Sequence, residues 1–131
     1  MSDEEHEPPP PALLLQGIAQ FNRGLFYEQH DTLETLWRAE PRPIRELYQG
    51  ILQVGVAFYQ LSRGNFAGMT IMLERGREHL APFEPVAQSV DVAALRKDAL
   101  RCLEEARKLG PERLSEFDRT LIPKVQLVLV G

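Results

Sequence analysis

The chain has 131 residues, 44% of them hydrophobic and 26% charged, which fits one globular domain with a core of its own. Of its 19 acidic residues, Asp3, Glu4, Glu5 and Glu7 fall in the first ten positions, leaving 15 to balance 15 Lys and Arg, so the body is neutral and gives no general footprint for nucleic acid or anionic lipid. A single cysteine, Cys102, excludes an intrachain disulfide and fits a reducing compartment, and the acidic start lacks the basic-then-apolar pattern of a secretory signal, which makes the cytoplasm the expected location.

Met1–Pro11 combines charge with a proline run and reads as a solvated, disordered tail, locally extended where the prolines follow one another. The domain is expected over residues 12–131. Pro11 suits the first turn of a helix, whose stripe is Leu14, Ile18 and Phe21 and whose end is marked by Asn22 and Gly24. A second helix is predicted from about Phe26 to Arg38. Its inward stripe is Phe26, His30, Leu33 and Trp37, spaced four, three and four, and Pro41 and Pro43 break it.

The run Leu47–Ser62 carries no charge, and its apolar positions recur every three or four residues on nearly every face. Such a helix is buried in a bundle or in a membrane. A bilayer needs roughly 20 apolar residues; this run is shorter and contains Gln49, Gln53 and Gln60. It is therefore the expected central helix, from about residue 43 to 63. Gly64 and Asn65 close it and cap a fourth helix, about Phe66–Leu80, with Phe66, Met69, Leu73, Gly76 and Leu80 inward. A loop with Pro82 and Pro85 precedes a fifth helix, which is N-capped by Asp91, lined by Val92, Leu95, Ala99, Leu103 and Ala106, and ended by Gly110-Pro111. Cys102 at the edge of that stripe reads as a buried, inert thiol. The tail Leu121–Val130 is apolar and has strand propensity without an obvious partner strand, so it is expected to lie extended along the bundle or to form an oligomer contact. A weak echo at an offset of 40 residues aligns Phe21, Gly24, Phe26 and Leu33 with Leu61, Gly64, Phe66 and Leu73, as in the helical hairpins of tetratricopeptide-type repeats. The fold class is thus all-α, a single bundle of about five helices.

Chemistry concentrates on the second and third helices. His30 on an apolar stripe needs partners for both ring nitrogens. Glu34, one turn on, can supply one, an amide of the central helix such as Gln53 the other, and Arg38 can balance Glu34. Asp31, Trp37, Tyr59 and Gln60 complete the candidate binding set. His and Glu at this spacing also suit a metal or a general base with its orienter. A third ligand, an HExxH motif, a GxSxG elbow, a P-loop and a CxxC pair are all missing from the sequence. No metal and no cofactor are expected, and the enzyme reading, a hydrolase-like site using His30 and Glu34, stays the alternative to a hydrogen-bonded network. Arg42 and Arg45, at the entrance to the central helix, read as solvated charge.

The run FNRGLFYEQHDTLETLWR at Phe21–Arg38, followed by YQGILQVGVAFYQLSRGNFAG at Tyr48–Gly68, resembles the bacterial and archaeal family called domain of unknown function 309. The resemblance implies a small all-α bundle with no established activity. Its polar positions fall here on Glu28, His30, Glu34, Trp37, Gln53 and Asn65, and the family often has His where this chain has Gln60. The reading that follows is a cytoplasmic binding or interaction module for an unknown protein or small molecule. It has a His/Glu/Gln cluster between helices two and three, no nucleic-acid or membrane partner, and scope for a homo-oligomer.

Overall fold

The computed structural model describes residues 9–128. Most of the expected tail, residues 1–8, and the last residues of the apolar run, 129–131, lie outside them. Five α-helices follow in order: α1 (Ala12–Asn22), α2 (Phe26–Ala39), α3 (Arg45–Ser62), α4 (Phe66–Leu80) and α5 (Val92–Leu109). Between α4 and α5 lies a small hairpin, β1 (Val86–Ala87) and β2 (Val90–Asp91). The architecture is an all-α bundle.

The helix α3 is its centre. Leu47, Tyr48, Ile51, Val54 and Ala57 are completely buried, and Gly50 and Gly55 between them are buried too. Burying a large apolar side chain is worth about 1.5–3 kcal/mol, which offsets the roughly 1 kcal/mol that each helical glycine costs relative to alanine. The glycines are used for close approach. A Cβ on Gly50 would stand 2.7 Å from Leu80 Cγ, and one on Gly76 of α4 would stand 2.8 Å from Val54 Cγ2 and 3.0 Å from the Gly50 carbonyl. The backbones of α3 and α4 meet there.

The two helical hairpins, α1–α2 and α3–α4, turn in the same way. Gly24 and Gly64 take φ values of +78° and +69°, which glycine adopts without steric cost. In each turn the next amide reaches back to close the helix: Leu25 N–H donates to the Gln20 carbonyl at 2.9 Å, and Asn65 N–H to the Gln60 carbonyl at 2.9 Å. Asn65 then caps α4 through the Gly68 amide, and Asp91 caps α5 through the Ala94 amide, both at 2.9 Å. The sequence echo is therefore a repeated turn. Beside it the rings of Phe21, Phe26 and Phe58 form one cluster, with Phe21–Phe26 centroids 5.3 Å apart and edge to face.

The C-terminal segment finds the partner strand that the sequence did not reveal. Gln88 and Ser89 take φ of 45° and 68°, so Ala87–Val90 turns tightly with the twist suited to a two-residue hairpin. Val90 bridges Leu127, and the Asp91 amide donates to the Gln126 carbonyl at 2.9 Å. Tyr48 ties this hairpin to α3, its hydroxyl donating to Gln88 Oε1 at 2.8 Å, and its own burial raises its pKa. At the other end, Asn22 clasps the segment by accepting from the Val125 amide (2.7 Å) and donating to the Val125 carbonyl (3.1 Å).

Candidate functional site

The buried polar tie between α2 and α3 is Gln29. It is 0% exposed, its Nε2 donates to the Leu52 carbonyl at 3.2 Å, and it occupies the slot left by the missing side chain of Gly55, where a Cβ would stand 2.3 Å from it. Its Oε1 is buried without a hydrogen-bond partner among the described residues. The buried positions of α2 are Gln29, Leu33 and Leu36; of the expected stripe Leu33 is in the core, Phe26 and Trp37 pack half-buried against it, and His30 is the member that does not. His30 is carried about 100° round the helix from Gln29 and leaves the core, its side chain 35% exposed.

Out there His30 sits in a chain of polar contacts along α2. Its Nδ1 is 3.7 Å from Asp31 Oδ1, its Nε2 is 3.6 Å from Glu34 Oε2, and Glu34 Oε1 is 3.3 Å from Arg38 Nη2. Asp31 and Arg38 are largely exposed. The expected bond to an amide of the central helix is replaced. Gln53 lies about 160° round α3 from Gly55, which faces α2, so it addresses α4 instead. There its Oε1 is 2.7 Å from His79 Nδ1, and His79 Nε2 is 3.3 Å from Glu46 Oε2. A His/Glu/Gln cluster does exist, but it is built by His79, Glu46 and Gln53 between α3 and α4.

What lies between α2 and α3 beside His30 is an open groove of about 190 Å3, lined by Phe26, Tyr27, His30, Val56, Tyr59 and Gln60. Two Phe-Tyr dipeptides meet at it, Phe26, Tyr27 and Tyr59 lining it and Phe58 packing behind Phe26. Phe26 and Phe58 turn inward with centroids 5.6 Å apart, while Tyr27 and Tyr59 turn outward at 5.9 Å. Tyr27 is 57% exposed. The Arg63 guanidinium lies 5.8 Å from the Tyr59 ring and its Nη1 donates to the Tyr59 hydroxyl at 3.3 Å. Gln60 accepts from Asn65 at 3.1 Å. The doubled Phe-Tyr pair was the available signal for Phe26 and Tyr27 as groove residues, whereas Val56 left no signal of its own.

The remaining candidates are engaged within the chain. Trp37 is half-buried beneath the Arg45 guanidinium, 4.2 Å from its ring centroid, and its Nε1 is buried without a partner among the described residues. Arg42 grips Glu40 through two contacts of 2.8 Å, and that hydrogen bonding holds the Glu40 carboxyl down at about 2. The entrance to α3 thus keeps its arginines for internal contacts. Cys102 is completely buried, its Sγ 3.3 Å from the Leu121 carbonyl, and burial pushes the thiol up to about 12. Among the described residues, no group of three or more His, Cys, Asp and Glu side chains is placed to hold a metal ion. Also among them, no helix is long and apolar enough to cross a membrane.

Residues 14–72 match the model of a protein family described as Domain of unknown function (DUF309). Over this stretch, somewhat under half of its length, the chain is similar to that family. The matched stretch takes in most of α1, all of α2 and α3 and the first half of α4, so every residue of the groove lies inside it. His79, the partner of Gln53, lies outside, as do the hairpin and α5. No match was found among curated proteins.

Proposed function

We propose that the chain is a cytoplasmic binding module whose ligand seats in the α2–α3 groove, with His30 and Gln60 as polar contacts and Tyr27, Tyr59, Phe26 and Val56 as walls. The observation that supports this is the pairing of an exposed aromatic rim with a half-exposed imidazole in one groove. Tyr27 gains little from folding at 57% exposure. Exposed aromatics and a few convergent polar groups are what binding surfaces use. Glu34, 3.6 Å from Nε2, orients the ring and leaves its face toward the groove. The ligand is a small molecule or a protein side chain presenting a ring; the balanced charge of the body speaks against nucleic acid and membrane surfaces. The single, buried cysteine agrees with a reducing compartment.

The test uses 4-ethylphenol and benzamide as probes, titrated into the full chain and followed by amide chemical shifts. Saturable shifts clustered on Tyr27, His30, Val56 and Gln60, abolished in Tyr27→Ala with the fold retained, are the expected result. Shifts scattered over the surface, or unchanged in Tyr27→Ala, would reject the groove as a binding site. The alternative is a metal-dependent or acid–base hydrolase-like site using His30 and Glu34; in its metal-dependent form it predicts a stoichiometric metal that His30→Ala releases without unfolding the chain.

A further inference from the structure

A second concavity, of about 450 Å3, opens between the α1–α2 turn and the C-terminal segment. Its volume lies in the range of small-molecule sites. Three cations line it, Arg23, Arg119 and Lys124, and no carboxylate does. The fold brings them together from positions far apart in sequence. Asn22 clasps Val125, which lays the segment across the end of α1, and Lys124 Nζ then donates to the Asn22 carbonyl. Asp118, the acid next to Arg119 in sequence, is engaged by the Thr120 amide and hydroxyl at 3.0 and 2.6 Å and is not among the lining residues.

The two arginines are left without carboxylates among the described residues, as Arg75 and Arg101 also are; what sets them apart is that they share one cavity. Arg38, Arg42, Arg107 and Arg113 each hold a carboxylate within 3.3 Å. Arg23 and Arg119 hold neither a carboxylate nor a side-chain hydrogen bond among the described residues, although both stand at one cavity. Like charges gathered in a concavity raise the local potential for an anion, and arginine presents a fork that fits phosphate oxygens. Beside the cations the wall is apolar, formed by Phe26, Ile122 and Pro123. Three positive charges match a doubly charged group better than a single carboxylate, and the apolar wall has use only for a ligand with a body.

We propose that this cavity binds a small organic phosphate, with Arg23 and Arg119 on its phosphate oxygens, Lys124 as a fixed point charge, and its apolar part against Phe26, Ile122 and Pro123. Its lining shares only Phe26 with the α2–α3 groove, and a shallow concavity with Gly24, Arg119, Tyr27 and Tyr59 on its walls lies between the two.

Phenyl phosphate is the probe, titrated into the full chain at low salt with amide shifts and thermal stability as readouts. The expected result is saturable binding with shifts at Asn22, Gly24 and Thr120, weakened about tenfold or more by Arg23→Gln and by Arg119→Gln as charge-assisted hydrogen bonds are lost. Arg101→Gln, at an exposed arginine on α5 with no side-chain partner among the described residues, serves as the control and should leave binding unchanged. Inorganic phosphate should bind more weakly, and phenol should not bind there. Absence of saturable binding, full binding by Arg119→Gln, or an equal loss in Arg101→Gln would overturn the site. Equal affinity for inorganic phosphate would overturn the organic ligand.

Discussion

His30 and Gln29 are neighbours with opposite fates. The sequence makes histidine the interesting residue and glutamine an unremarked polar one, because an apolar stripe drawn through the largest side chains, Phe26 and Trp37, passes through position 30. In the fold Leu33 is fully buried while Phe26 and Trp37 stand at the margin of the buried arc, and Gln29 takes the core place expected of His30 because Gly55 opens a slot for it and the Leu52 carbonyl lies within reach of its Nε2. That complementarity between two helices is a tertiary property and leaves no local trace. The same holds for Gln53, whose partner His79 lies 26 residues away on α4. Cys102 was legible, since its place beside the α5 stripe implies burial and burial implies an inert thiol. With the thiol raised to about 12, iodoacetamide at about pH 8 should modify Cys102 only after unfolding, because the thiolate is the reacting form. Mass spectrometry with and without denaturant checks this, and rapid labelling of the native chain would contradict it. The raised value also has a sign: the native state keeps a proton that the unfolded thiol, near 9.0, gives up. The stability from Cys102 is therefore complete below about pH 9 and declines as pH rises toward about 12.

At the scale of the elements, most of the architecture could be read because it rests on local signals. Helical periodicity, the Gly24 and Gly64 turns, and the Asn65 and Asp91 caps each act within a few residues of themselves. The β hairpin was not legible. Its turn residues are Gln88 and Ser89 in place of the usual Asn and Gly, and its third partner, Leu127, is remote in sequence. The small residues of α3 were legible as sites of close approach, but their partners were not. Gly50 and Gly76 should resist enlargement. Although alanine favours a helix by about 1 kcal/mol over glycine, Gly50→Ala and Gly76→Ala should each destabilise the chain by about 1–3 kcal/mol, because the new Cβ would enter Leu80 or Val54. Urea denaturation measures the difference, and a gain in stability from either variant would mean that α3 and α4 are not in backbone contact there.

For the whole molecule, a buried helix organises two surface features on either side of Phe26. One is the aromatic groove beside His30, inside the stretch that matches the DUF309 model; the other is the cationic cavity, which needs the C-terminal segment as well. The groove reading depends on whether His30 serves the fold or stands free of it, and the fold already has its own α2–α3 tie in Gln29. The direct measurement is chemical denaturation of Gln29→Ala and His30→Ala beside the unmodified chain. Loss of a buried hydrogen bond and creation of a cavity should cost Gln29→Ala roughly 1–3 kcal/mol, whereas His30→Ala should stay within about 0.5 kcal/mol. If His30→Ala were as destabilising as Gln29→Ala, the imidazole would be part of the scaffold, and the groove beside it would lose its claim to a ligand.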